Sequence, residues 1–536
     1  MRFCILFLII TTIALPVRLY PMGDTSGNRP EFDASRLKPW DVSVTHKPNI
    51  TSEARVTASR YNNIRHELAQ WIDRQAHAVR NGYIEQLGLP VRGLWASYED
   101  SPSKWSKYLA YYGRIFTYDT ALALYTSIID DCYKQDFSRS RQAVDVILQL
   151  LAREEAVGQI GLLHFSYNTK EDSFIDPRAI TGANIWMFKA LYAYMLTSGD
   201  FSVFEEVTRC VRKYLLPLQV LDDKNPMYGF ITAGYAHPKG MDQGGYRIYS
   251  NLKALNKRSE IAVMEHNADL IDLLRLINFA ANAYSAFADD SLRNEIADRH
   301  ALVMQSVMRI RNAPHWPTLI ESGGSVNRSM AVDHYTWLAS AFIGLDESVA
   351  WDSIEVLRSK FVVTVDSMEI LIGPIPRRLT FARPATGLIF FEKSFYDPYV
   401  TISANDRHKL ELMIQPEATA GGIIFLYLFS QATSDPDREA EALSLMETLL
   451  EGLSIIHESY SSACRTRGMP YATENTENYF NSTPSMAAGA SYYMALEVLA
   501  TGYPYFLGVP VPESFSDALI RQVDSTTIRA SSSYKR

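Results

Sequence analysis

Apolar runs and amphipathic runs take turns along most of this chain. Asp119–Asp130 reads DTALALYTSIID and is nearly all apolar. Ser138–Arg153 follows with its charges on one side at helical spacing. The succession then repeats. Apolar segments open near Asp119, Asn184, Asn267, Asp333, Glu417 and Pro484, at intervals alternating between roughly 65 and roughly 84 residues, and recurrence of this kind marks a structural repeat. Charged partners fall between them at Ser138–Arg153, Phe201–Leu216, Ser291–Arg311, Glu347–Val362 and Asp437–Glu458. Ala54–Arg80 stands ahead of the first pair as a sixth.

A helix that is apolar all round must be buried all round, whereas an amphipathic one needs cover on one side only. Six of each predict an inner ring inside an outer ring, an all-α (α/α)6 barrel or six-hairpin toroid. An open solenoid of hairpins is the rival. It would expose faces such as AAGASYYMALEVLA, which solvent does not tolerate well. Strand signals are few. Lys360–Ile375 and Leu388–Glu392 are β-branched and aromatic, with the proline-broken GPIPRRLTFARP between them, and predict a small β excursion on one rim. Leu162–Asn168 predicts a short strand.

The ends read differently. Arg2 followed by the apolar run Phe3–Leu15 predicts a signal peptide over residues 1–22, hence a secreted or extracytoplasmic protein, with an uncleaved N-terminal anchor as the alternative. Residues 23–53 read as an extended arm, 54–510 as the toroid and 511–536 as a polar tail. No later stretch is apolar for the roughly 18 residues a membrane span needs, so no membrane association is expected after cleavage. A net charge of -8 argues against nucleic acid. Beyond Cys4, the cysteines Cys132, Cys210 and Cys464 allow at most one disulfide and fit no zinc spacing. Sequons stand at Asn49, Asn327 and Asn481.

Inner helices running one way would bring their N-termini to one face and line a common funnel. The openings there contain Tyr118 and Asp119; Asn184 and Trp186; Glu265, His266, Asn267 and Asp269; Asp333, His334 and Trp337; and Glu417. Any one small polar residue at a helix start is explained as an N-cap. Glu265-His266-Asn267-Ala268-Asp269 holds more polar groups than a cap requires. Paired carboxylates across a cleft are what glycoside hydrolysis uses, one giving a proton to the leaving oxygen and one activating water or attacking. Glu265 is the candidate acid, and Asp119 and Asp333 compete as the base. Tyr118, Asn184, Trp186, His266, Asn267, Asp269, Tyr246, His334, Trp337 and Glu417 are candidate substrate contacts. Tyr246 belongs to the Gly-rich loop Gly229–Tyr249, which is expected over the funnel mouth. No HExxH, P-loop, GxSxG or dinucleotide fingerprint occurs, so no metal and no cofactor is expected.

Taken in order, Phe116-Thr117-Tyr118-Asp119, Thr181-Gly182-Ala183-Asn184-Ile185-Trp186, Glu265-His266-Asn267-Ala268-Asp269, Asp333-His334-Tyr335-Thr336-Trp337, Pro416-Glu417-Ala418-Thr419-Ala420 and Met469-Pro470-Tyr471-Ala472-Thr473 resemble an uncharacterised group of secreted proteins in the six-hairpin glycosidase-like superfamily. The resemblance covers roughly Trp95 to Phe506. It implies an (α/α)6 toroid and carbohydrate-active chemistry. This chain departs from similar sequences at Thr120, where Gln is common, which implies a lost polar contact. The leading expectation is a secreted glycoside hydrolase on a poly- or oligosaccharide, with inversion favoured. Two alternatives stand beside it. One is a polysaccharide lyase or sugar epimerase using His266 or His334 with Tyr118 or Tyr335 as acid and base. The other is a non-catalytic carbohydrate-binding or effector protein.

Overall fold

The structure, a computed structural model, describes residues 61–501 apart from 80–82, 85–88, 91–92, 100–113, 135, 159, 169–177, 236–257, 284–289, 344, 373–374, 393–405 and 477–479. The expected signal peptide, arm and tail lie outside the described residues, as do Asn49 and Tyr246 and most of the Gly-rich loop.

Apart from a single helical turn at Arg407–Leu410, twelve helices alternate outer and inner along the described chain. They are α1 (Asn62–Val79), α2 (Thr117–Lys134), α3 (Ser138–Gly158), α4 (Thr181–Ser198), α5 (Phe204–Cys210), α6 (Met264–Ala283), α7 (Asp290–Ile310), α8 (Trp337–Ser340), α9 (Glu347–Val356), α10 (Pro416–Ala432), α11 (Pro436–Cys464) and α12 (Met486–Thr501). The even-numbered helices pack side by side in order, and α12 returns to α2, so the inner ring closes. Each odd-numbered helix from α3 to α11 packs on the inner helix before it. α1, first in the chain, packs on α12 and completes the sixth hairpin from the opposite end. The fold is the all-α (α/α)6 toroid.

Burial follows the two predicted patterns. Every residue of α12 is buried, and so is Thr181–Met195 of α4. The outer α7 buries only Leu292, Ile296, His300, Val303, Met304, Ser306, Val307 and Ile310, the spacing of one helical face. Aspartate caps open outer helices: Asp346 accepts from the Ser348 N–H, and Asp435 from the Asp437 and Arg438 N–H groups. Inner helices start differently. Several leave a short rim strand and enter the helix at once, and these strands pair around the mouth: Arg114–Phe116 with Ser166–Asn168, Ala179–Ile180 with Gly234–Tyr235, and Ile261–Val263 with Leu319–Glu321.

Three expectations change in detail. The fourth inner segment is a 3-10 turn, Val332–Tyr335, followed by a single α turn in α8. The Asp346 cap of α9 follows within a few residues and leaves no room for more. The proline-broken stretch is not a gap between strands but the second strand itself: β1 (Val362–Ile372) pairs antiparallel with β2 (Ile375–Leu388). Pro376 lies at its start, and Pro384 falls where the register shifts between Val365 and Ser367, the kind of position a sheet leaves for proline. Asn481 is buried, which leaves Asn327 as the accessible sequon among the described residues. All three described cysteines are free thiols; burial pushes Cys132 up to about 12 and Cys210 to about 11, so both stay protonated.

Candidate active site

Counting from the first residue of each inner helix aligns the repeats. Position two is Tyr118 in α2, Gly182 in α4, Glu265 in α6 and Glu417 in α10. Four residues on stand Leu122, Trp186, Asp269 and Gly421, and three beyond them Tyr125, Lys189, Asp272 and Ile424. The spacing i, i+4, i+7 keeps each set on one helix face. In the closed ring that face looks toward the axis. The contacts fall in layers accordingly.

In the upper layer the Tyr118 hydroxyl donates to Glu417 Oε1 at 2.5 Å, and the Gln415 side-chain amide donates to Glu417 Oε2 at 3.2 Å. Tyr118, Glu265, His266 and Glu417 are each half-buried, whereas Asp119, Trp186, Asp269, Asp333, His334 and Trp337 are buried. One turn down, the Trp186 indole hydrogen-bonds to Asp269, and its ring meets Tyr118 and Trp337 edge to face at centroid distances of 5.6 and 6.0 Å. Gly421 makes room for Trp337; a Cβ there would lie 2.9 Å from the indole. In the third layer Lys189, wholly buried, lies 3.3 Å from Asp272 Oδ2 and 3.8 Å from Asp269 Oδ1.

Carboxylates from four inner segments therefore act on one another. Burial, then the charges of Asp333 and Glu417, hold the Glu265 carboxyl well above its ordinary value. Burial, then Glu417 and Asp269, do the same for Asp333. Asp119 is pushed up to about 8 by burial, against a hydrogen bond from Ser97 that favours its anion, with Glu417 raising it further. Glu417 is raised by burial, but Tyr118 and Gln415 both donate to it and stabilise its anion. Like charges held close together out of water cannot all ionise, so the cluster retains protons, and Glu417 is the member best supported as an anion. Burial lowers His266 to about 4 and His334 to about 3, so both imidazoles are neutral at neutral pH. His266 packs across Gly182, where a Cβ would come within 2.4 Å of the ring.

The two asparagines do other work. Asn184 Oδ1 accepts from the Leu163 N–H at 2.7 Å, and its amide donates to the Leu163 and Ile180 carbonyls. Asn267 Oδ1 accepts from the Ile231 N–H at 2.8 Å, and its amide donates to the Ile231 and Val263 carbonyls. Each stands at position four, is wholly buried, and staples the neighbouring rim loop to its helix. Both N–H bonds of each amide are committed and both side chains are wholly buried, which closes them to a substrate, and neither is an N-cap, since both sit inside their helices. Thr419 does the same in α10, accepting from the Leu388 N–H. Thr120 holds the equivalent place in α2, and its hydroxyl makes no hydrogen bond among the described residues. Tyr335 turns outward instead: it lies 3.4 Å from His315 and packs on Phe361, so it is no acid–base partner for the funnel. The 3-10 turn, at three residues per turn, puts it out of phase with an α-helical register. Among the described residues no group of His, Cys, Asp or Glu has the arrangement of a metal site.

No family model matches the chain, and no curated protein matches it in sequence. Solved structures do match in fold. The chain is similar to a D-mannose isomerase, with TM-score 0.50 and 12% identity over 81% of this chain and 98% of that one. It is also similar to the unsaturated glucuronyl hydrolase of Bacillus sp. GL1, with TM-score 0.46 and 12% identity over 81% of this chain and 97% of that one. A family 76 glycoside hydrolase from a bovine Bacteroides thetaiotaomicron strain gives TM-score 0.43 and 11% identity over 81% and 77%. What the D-mannose isomerase shares with this chain is the fold.

Proposed function

We propose that this protein is a carbohydrate-active enzyme, a secreted glycoside hydrolase that cleaves a poly- or oligosaccharide in the funnel. The observation that carries this reading is the meeting of Glu265, Asp333 and Glu417, from three inner segments, in one recess beside Tyr118 and Trp186. Hydrolysis of a glycosidic bond needs one carboxyl that keeps its proton and one that gives it up. Glu265, held protonated by burial and by Asp333 and Glu417, donates to the leaving oxygen. Glu417, whose anion Tyr118 and Gln415 stabilise, is favoured over Asp119 and Asp333 as the base that activates water, giving inversion. Tyr118, half-buried, is the aromatic ring open to a sugar, and the buried Trp186 and Trp337 support it from below.

A second reading has support of its own. His266 and His334 are neutral, as a base must be before it takes a proton, and His266 is the half-buried one of the two, next to Glu265 in α6, which suits it to the proton abstraction that a sugar epimerase or lyase requires. The fold likeness to D-mannose isomerase agrees with a sugar ligand. The products separate the readings. The protein is incubated in deuterated water with a panel of oligosaccharides, and products are read by mass spectrometry and proton spectra. Hydrolysis gives two shorter sugars with the reducing end of one inverted. Epimerisation leaves chain length unchanged and places deuterium on carbon, and a lyase gives an unsaturated product. Binding with no product would leave only the non-catalytic reading.

A further inference from the structure

The hydrolytic reading uses the upper layer of the axis and the aromatic floor beneath it. It leaves Lys189 unexplained. Packing does not ask for a lysine there. Its neighbours in α4 are buried Phe188, Ala190 and Leu191, and a thioether chain of similar length would fill the same space. Burying an ammonium and two carboxylates costs several kcal/mol per ion before their attraction returns any of it, and such groups are often replaceable by apolar side chains without loss of stability. A buried ionic group of this kind calls for a role other than holding the ring together.

The contacts suggest one. The Lys189 ammonium lies under the face of Trp186, 3.8 Å from the ring centroid, where the π-cloud attracts a cation. Its Asp269 partner, 3.8 Å away, takes the hydrogen bond of the same indole. Asp272 holds the ammonium from the other side at 3.3 Å, and is itself met by Arg275 at 3.8 Å. Arg275 is tied to the next inner segment through the Ala341 carbonyl. Trp186 is thus gripped on its face by a cation and at its N–H by that cation's counter-ion. Its ring contacts to Tyr118, Tyr125 and Trp337 are edge to face.

We propose that Lys189 is a positioning residue for the funnel floor: with Asp269 it fixes the Trp186 indole in one orientation, and through that indole it keeps the Tyr118 hydroxyl on Glu417. The inference rests on the hydrolytic reading for its activity arm alone; its spectroscopic arm needs no substrate. The variants are Lys189→Met, Lys189→Arg, and Lys189→Met with Asp272→Asn, the last removing one charge of each sign should the single change not fold. Each is made in the wild-type chain and in Trp186→Phe. Tryptophan emission and acrylamide quenching are read at pH 7, beside thermal unfolding. The expected result is a folded variant with changed Trp186 emission, a change absent in the Trp186→Phe background and partly reversed by Lys189→Arg. On a saccharide that the wild type cleaves, kcat falls by about tenfold to a hundredfold, with the smaller effect on KM. Emission and quenching identical to wild type in a folded Lys189→Met or double variant would overturn the inference. A turnover loss matched by a loss of thermal stability, with Trp186 emission unchanged, would do the same. If the wild type cleaves no saccharide, the hydrolytic reading fails while the spectra still decide the role of Lys189.

Discussion

Asn267 and Glu265 stand two positions apart in α6 and do opposite kinds of work. The sequence pattern singled out both, because both are polar at the start of an apolar helix. What it did not carry was direction. Position two looks down the axis and position four looks out to the rim loop, and that difference becomes legible only when the helix starts are aligned on Thr117, Thr181, Met264 and Pro416. Lys189 carried a signal of its own: it is the one charge inside the run IWMFKALYAYML. Asn267→Ala leaves the Ile231 N–H and carbonyl buried without that partner, at about 1–3 kcal/mol each, and denaturant unfolding should show a loss of at least about 2 kcal/mol. Any activity per folded molecule should survive. Gly182→Ala should do the reverse, keeping the fold within about 1 kcal/mol while displacing His266, a shift that the imidazole proton resonances report.

At the scale of elements, periodicity located the twelve helices of the two rings, because full burial and one-sided burial leave distinct patterns in composition, and it did not show the single turn at Arg407–Leu410. It misjudged the β excursion for a physical reason. Proline signals a break when read along one strand, yet Pro376 and Pro384 sit at a strand start and a bulge, where no ladder bond is lost. The hairpin depends on a close approach. Gly452 in α11 faces the Thr386 carbonyl, and a Cβ there would lie 1.8 Å from that oxygen. Both atoms belong to backbone, so neither can rotate away. Gly452→Ala should cost about 1–3 kcal/mol in thermal or denaturant unfolding, and a neutral result would show that α11 and the hairpin are free to separate.

For the whole molecule, ring closure brings carboxyls from four inner segments together, and there they hold protons that free carboxyls lose. Asp119 releases its proton near pH 4 when unfolded and at about 8 when folded. Between those values the folded state binds more protons, so Asp119 draws stability down as pH rises through that window. His266 and His334 have the opposite sign: their folded values of about 4 and about 3 lie below the unfolded one, so they draw stability down as pH falls below about 6.5. Thermal unfolding across pH should peak in the mildly acidic range. Asp119→Asn should flatten the decline toward pH 8, and an unaltered slope would mean that Asp119 ionises freely in the fold. Secretion, expected from the leader-like run Phe3–Leu15, is tested separately by the N-terminal sequence of the protein exported from its source cells.

The central claim is that Glu265 is the proton donor of a carbohydrate-cleaving funnel. Its most direct test is the turnover of the wild type against Glu265→Gln on a panel of polysaccharides, with saccharide binding followed calorimetrically on both. The account predicts cleavage by the wild type and a loss of about 10²–10⁴-fold in Glu265→Gln with affinity retained. Equal turnover by the two proteins, or no cleavage of any saccharide that the wild type binds, would contradict it.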